Sequence, residues 1–332
     1  MSADRKSRKS GKPAVEWPTV ALVIVCYGAW AAAGLFLWPV WPVAALAVMA
    51  IAVALQSSLV HEVLHGHPTR NARLNEALVS LPIGVTWPFR RFKALHLRHH
   101  ADERLTDPFD DPESYYQALW KHSEMPRWLH WILHINNTML GRLVLNPWLS
   151  AIGLALGDIR LIRDGDKAVR TAWILQALGW AVLIPLVVYG FGMPFWVYVL
   201  GAVWPGLSII SIRTYAEHQW SDDPEGRTVI VEKTPLSLLF LNNNLHFVHH
   251  AKPTVAWYKL PDLFRERREE WVAENRGYVF PNYLAILKSY AFKAKEPVVH
   301  PVLRSSAECG GAAVWHEQRQ AEKASRVTEP AE

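Results

Sequence analysis

"HEVLHGH", residues 61–67, follows a long run from Trp17 to Val60 that contains no Asp, Glu, Lys or Arg. His61-Glu62-Val63-Leu64-His65 fits H-E-x-x-H, the helical pair of zinc ligands and glutamate base that metalloproteases carry. The same two histidines, four residues apart on one helix face, serve equally as one corner of a larger metal site assembled from distant parts of the chain. Which of these holds depends on what surrounds the motif.

The apolar run is a little over forty residues, and one crossing of a bilayer's hydrocarbon core takes about 20. A second charge-free run spans Thr171 to Ile212. Each run is long enough for two helices joined by a tight turn. The turns are visible as "WPVWP" at 38–42 and "GFGMP" at 190–194, where Pro and Gly interrupt the helix and aromatic rings suit the lipid–water boundary. The predicted fold is an all-α integral membrane protein: four transmembrane helices in two hairpins, with a helical cytoplasmic cap. Neither tip carries Lys or Arg, whereas the N-terminus "MSADRKSRKSGK" is strongly basic. By the positive-inside rule both termini and the region between the hairpins are cytoplasmic. The predicted organisation is a basic N-terminus (1–16), hairpin 1 (17–60), a cytoplasmic and interfacial region (61–170), hairpin 2 (171–212), a cap (213–302) and a disordered polar tail (303–332). Residues 139–157 are apolar enough to suggest a fifth crossing. Arg142, Pro147 and the amphipathic "RWLHWILH" before them favour a helix lying in the membrane interface instead.

The net charge of +5 is then a signal of topology and not a nucleic-acid footprint. Cys26 and Cys309 are the only cysteines, which leaves neither a disulfide framework nor a cysteine metal site. No flavin, haem or iron–sulfur motif is present, and "GFGMPF" is a membrane turn and not a phosphate loop.

Nine of the fifteen histidines are patterned. Besides His61 and His65, "HLRHH" supplies His96, His99 and His100, "HFVHH" supplies His246, His249 and His250, and His218 follows hairpin 2 in "TYAEHQW". Spacings of three and four place side chains on neighbouring parts of a helix surface. Zinc takes three or four protein ligands, so nine imidazoles are too many for one zinc and suit two metal ions with four or five each. An all-nitrogen set does not by itself select among iron, copper, zinc and nickel. A zinc protease would leave both HxxHH clusters without a task, and a non-catalytic metal carrier would place its histidines within the spans, where none of the nine falls.

The order HxxxH, HxxHH, a lone His after the last span and HxxHH, interleaved with two hairpins, resembles the membrane-bound fatty acid desaturase superfamily, which also holds hydroxylases, ketolases and alkane monooxygenases. "TDPFDDP" after the second box and "HHAKPTVAWYKLP" around the third are similar too. The likeness covers about residues 20–265. It implies a non-haem diiron centre that uses dioxygen on an unactivated C–H bond, with His61, His65, His96, His99, His100, His218, His246, His249 and His250 as iron ligands. It also implies a fatty acyl or lipid-like substrate, most simply desaturated, with hydroxylation or oxidative decarboxylation as alternatives. Two electrons per turnover would come from a separate carrier of ferredoxin, rubredoxin or cytochrome type with its reductase. The expected location is the inner membrane of a bacterium. The chain departs from the family at two places: Thr214 stands where acyl-CoA desaturases carry an Asn that holds an iron-bound water, and Asn242 to Asn244 precede the third box.

Around the ligands, Glu62 and His67 are expected to orient the rings, as are Asp107, Asp110 and Asp111 unless they only form Asp-Pro turns; Thr214 and Asn242 are further candidates. His130 and His134 are explained by an interfacial helix, and His122, His300 and His316 are read as surface residues. Arg90, Arg91, Lys93 and Arg98 form a basic strip suited to lipid headgroups or to an acidic electron carrier.

Overall fold

A computed structural model describes residues 14–101 and 104–302. The basic stretch up to residue 13 and the tail from residue 303 lie outside these. The described chain is mostly helical. Its principal helices are α1 (Trp17–Leu37), α2 (Pro42–Leu64), α3 (Phe89–Ala101), α4 (Arg127–Asn136), α5 (Met139–Arg163), α6 (Lys167–Gly190), α7 (Phe195–Glu217), α8 (His246–Ala251) and α9 (Tyr283–Tyr290). Two short strands, β1 (Ile230–Val231) and β2 (Val279–Phe280), pair in parallel within the cap.

The helix ends obey local chemistry. α1 and α2 both begin with Pro in their first turn, where a missing N–H costs nothing. At the second tip Gly192 takes a positive φ of 65°, a conformation open to glycine at no steric cost. The first tip closes at Trp38–Trp41, and the tips meet where Phe191 packs on Gly34. Polar groups inside this packing are matched: Trp30 Nε1 donates to Tyr198 OH (2.9 Å), which donates to the Ile83 carbonyl (2.6 Å). That is the condition for polar groups in an apolar interior.

α2 lies directly against α7. A Cβ on Gly206 would sit 2.6 Å from the Ala50 carbonyl oxygen and 2.7 Å from the Val53 side chain. Overpacking of this kind costs about 1–3 kcal/mol, and only part is returned by the better helix propensity of Ala. Gly206→Ala is therefore expected to lower the thermal unfolding midpoint of the detergent-solubilised protein. An unchanged or higher midpoint would show that the two helices are free to move apart.

Among the described residues five helices are long and apolar enough to cross a membrane, α1, α2, α5, α6 and α7, where the sequence reading expects four crossings. α5 runs on to Arg163, beyond the expected 139–157, and Pro147 sits inside it without ending it. Two of its charges, Arg142 and Asp158, are buried with partners. Arg142 donates through Nε to the Asn136 carbonyl (2.9 Å) and through Nη2 to Asn137 Oδ1 (3.2 Å). Asp158 accepts from Arg91 Nε and Trp173 Nε1, each at 2.8 Å. A charge inside an apolar stretch therefore does not interrupt the helix when another element supplies its counterpart. The α4 helix before it exposes Trp128 (64%) and Trp131 (71%).

Candidate metal centre

All nine patterned histidines meet at one end of the helices. α2 carries His61 on its last turn and His65 as its C-terminal cap, so the first box is the continuation of an apolar helix. α3 carries His96, His99 and His100; α8 carries His246, His249 and His250; His218 caps α7. The ligand atoms fall into two groups, each within 4.8 Å of one another: His61, His65, His96, His100 and His249; and His99, His218, His246 and His250.

Helix geometry explains this division. Residues four apart lie almost above one another, whereas the residue three on points to the side. Each HxxHH box gives its i, i+4 pair to one group and its middle histidine to the other. His96 and His100 join the first group and His99 the second; His246 and His250 join the second and His249 the first. The two groups thereby interlock, and neither forms unless α3 and α8 pack together.

The rings face each other through Nε2. His96 Nε2 lies 3.2 Å from His65 Nε2 and 3.0 Å from His100 Nε2, and His249 Nε2 is 3.2 Å from His100 Nε2. In the second group His218 Nε2 lies 3.1 Å from His99 Nε2 and 3.0 Å from His246 Nε2, with His250 Nε2 3.1 Å from His246 Nε2. In three rings the opposite nitrogen faces outwards to an acceptor. His96 Nδ1 meets Glu113 Oε1 (2.8 Å), His99 Nδ1 meets Asp111 Oδ1 (2.8 Å), and His246 Nδ1 meets Asn243 Oδ1 (3.0 Å). An imidazole that donates from Nδ1 presents a lone pair at Nε2. His99 and His246 then both aim lone pairs at His218 Nε2, which has at most one proton to offer. Lone pairs converging in this way fit a cation, and imidazole nitrogens are ligands for first-row transition metals.

Electrostatics agree. Burial, reinforced by neighbouring imidazoles, holds His65 and His218 down to about 3 and His100 to about 2. The same causes push His246, His249 and His250 well below the usual range. His99 is the exception: burial lowers it, but Glu113 and Asp111 outweigh that and raise it to about 9, so it presents a lone pair at Nε2 only once a bound cation displaces its second proton. Glu113 in turn is held far below an ordinary carboxylate by His96 and His99, against the effect of its burial. Most of the cluster is neutral imidazole, the form that binds metal.

The remaining expected residues surround the rings at varying distance. Glu62 Oε1 accepts from the Trp257 backbone N–H (3.1 Å), joining the first box to the segment after the third. His67 Nδ1 pairs with Glu16 Oε2 at 2.7 Å and lies 3.7 Å from Glu62 Oε1, tying the start of α1 to the same point. Asp107 Oδ1 accepts from Phe109 and Asp110 N–H within its own turn, and Asp110 pairs with Arg104. The carboxylates hydrogen-bonded to the rings are Asp111, among those expected, and Glu113, which no spacing singles out; Glu217 Oε1 lies 3.7 Å from His246 Nδ1. Thr214 lies one turn before His218 with its hydroxyl buried. Asn242 Nδ2 donates to the Trp257 carbonyl, while its neighbour Asn243 meets His246.

Outside the centre, His130 stacks on His122 at 3.9 Å and its Nε2 meets the His122 carbonyl. His300 is buried between Tyr116 and Trp220 and not on the surface; His316 lies outside the described residues. In the basic strip, Arg90 pairs with Glu76 and Arg91 with Asp158.

Comparison with known proteins accords with this geometry. The family model described as fatty acid desaturase matches residues 36–282, about three quarters of the chain. No curated protein matches it.

Proposed function

The chain belongs to the fatty acid desaturase family, and on that basis we propose that it is an oxygen-dependent membrane oxidoreductase. It acts on an unactivated C–H bond of a fatty acyl or similar lipid-like chain, with desaturation as the first outcome and hydroxylation or oxidative decarboxylation as alternatives. The observation that carries this reading is the meeting of nine imidazoles in interlocked groups of five and four. Two iron ions held there would supply dioxygen activation and hydrogen-atom abstraction.

The chain's own residues do the rest. Asp111, Glu113 and Asn243 fix the tautomer and direction of His99, His96 and His246, so the Nε2 atoms stay turned inwards without rearrangement. Imidazole resists oxidation better than thiolate, which suits a site handling a strong oxidant. Electrons come from a separate carrier protein. The zinc-protease reading asks Glu62 to act as a base, and its bond to the Trp257 N–H favours an orienting role.

Topology follows from parity. His65 and His218 belong to one centre and therefore lie on one side of the membrane. Between them the chain passes through α5, α6 and α7; three crossings would separate them, whereas two bring the chain back. α6 and α7 form the hairpin that turns at 190–194, so α5 lies along the surface, its Arg142 end near Tyr215 and its Asp158 bonded to Arg91. Four crossings in two hairpins, with the centre and both termini cytoplasmic, satisfy both parity and the charge pattern.

The test is a comparison of lipids extracted with and without expression, by mass spectrometry. A product lighter by two mass units marks desaturation, heavier by sixteen hydroxylation, and a shortened hydrocarbon decarboxylation. Each is expected to require oxygen and a reductant. No change in any lipid in the presence of a competent reductase would contradict the proposal.

A further inference from the structure

His96 and His99 are backed by carboxylates, whose ionised oxygens accept a hydrogen whichever way the group turns. His246 is backed instead by an amide. Asn243 meets His246 Nδ1 with its Oδ1 at 3.0 Å, yet the same amide turned end over end fits the same space and offers its NH2 group there. His246 Nδ1 would then have to accept, and the ring's proton would move to Nε2, the atom that faces His218 and His250. A ring in that state has no lone pair for a cation.

A group beyond Asn243 must choose between the two orientations. Asn243 is buried, and its Nδ2 donates to Glu217 Oε1 at 3.4 Å. Glu217 is the last residue of α7, and the same oxygen is paired at 2.7 Å with Nε of Arg213, one turn earlier on that helix. A guanidinium offers only hydrogens, so an oxygen held against it stays an acceptor. A flipped Asn243 would therefore set its Oδ1 against Glu217 Oε1, acceptor to acceptor. Arg213 and Glu217 are buried as well, and a mismatch away from water is costly. His246 Nδ1 lies 3.7 Å from the Glu217 oxygen, too far for a direct hydrogen bond, so the amide is the link between them.

We propose that Glu217 is a positioning residue for the group of four. Its Oε1 fixes the orientation of the Asn243 amide, which places the His246 proton on Nδ1 and the lone pair on Nε2, and Arg213 holds the carboxylate in place. Glu217 thus serves His246 at one remove, as Asp111 serves His99 and Glu113 serves His96 directly. The proposal rests on the diiron reading through His246 alone.

The test uses the full-length protein loaded with ferrous iron without oxygen, and competition with a chelator of known affinity reads the weaker-bound iron. Arg213→Met combined with Glu217→Met removes both charges together, which a buried pair tolerates better than the loss of one partner, and leaves Asn243 free to turn. The weaker-bound iron is expected to lose about 10–100-fold in affinity. Adding Asn243→Asp gives His246 an acceptor that needs no orienting, and is expected to restore most of that loss; a role in packing alone would not be rescued in this way. Glu217→Gln can still turn an oxygen to Arg213 and is expected to bind iron much as the wild type does. Wild-type affinity in the folded double variant, or a loss that Asn243→Asp does not restore, overturns the proposal. So does a loss of that size in Glu217→Gln, which decides the matter should the double variant not fold. A wild-type protein that binds a single metal ion overturns it through failure of the diiron reading, and metal analysis of the wild type shows which of the two has failed.

Discussion

His246→Ala is expected to purify folded, to keep about one iron per chain instead of two, and to lose turnover by more than about 100-fold. His246 is buried in α8, with Nε2 3.0 Å from His218 Nε2 and 3.1 Å from His250 Nε2. It belongs to the group of four, which the substitution leaves with three imidazoles; the group of five contains no part of it. Even residues that only support ligands cost 10–100-fold in metal affinity or activity when changed, so removing a ligand sets that range as a floor. His130→Ala is the control. Its ring stacks on His122 away from both groups, and metal content and turnover are expected to stay as in the wild type. Metal analysis beside an oxygen-uptake assay reads both variants. Full iron occupancy in His246→Ala would show that the group of four is not a metal site.

Asp111→Ala is expected to lower metal affinity by about 10–100-fold while every histidine remains. Asp111 is buried, accepts from His99 Nδ1 at 2.8 Å and from the Thr106 N–H at 2.8 Å, and holds the acidic turn against α3. Its loss frees the His99 ring to rotate and also lets His99 fall from about 9 towards the range of its buried neighbours, since Asp111 is one of the charges that raise it. Asp110→Asn, one residue away, breaks only a surface pair with Arg104 and is expected to change affinity less than twofold, as exposed pairs contribute little. Competition with a chelator of known affinity measures both. Equal effects of the two substitutions would remove Asp111 from its orienting role.

The contrast between these neighbours shows how far the sequence is legible. The hairpins are readable because charge-free runs and Pro/Gly tips are one-dimensional signals, and the boxes are readable because spacings of three and four have one meaning on a helix. The acidic turn has no period to read. Thr106 takes a φ of 79° and the loop after it is irregular, so no alternation tells that Asp111 and Glu113 turn inwards while Asp107 and Asp110 stay with their own loop. The same holds before the third box. Leu241 and Asn242, at φ 49° and 56°, reverse the chain, and this brings Asn243 to His246. Division of the nine rings into interlocked fives and fours needs the relative placement of α3 and α8, which no spacing within one box encodes. In the α5 segment Arg142 and Pro147 speak for an interfacial helix over a crossing, but that Arg142 and Asp158 are matched by Asn136, Asn137 and Arg91 is set by tertiary placement and not by any local pattern.

Metal content of the purified full-length protein decides the rest. Two irons per chain, reconstituted without oxygen and lost together with lipid-oxidising activity on chelation, is the predicted result. An active preparation holding a single zinc per chain, with activity unaffected by His249→Ala, would contradict it.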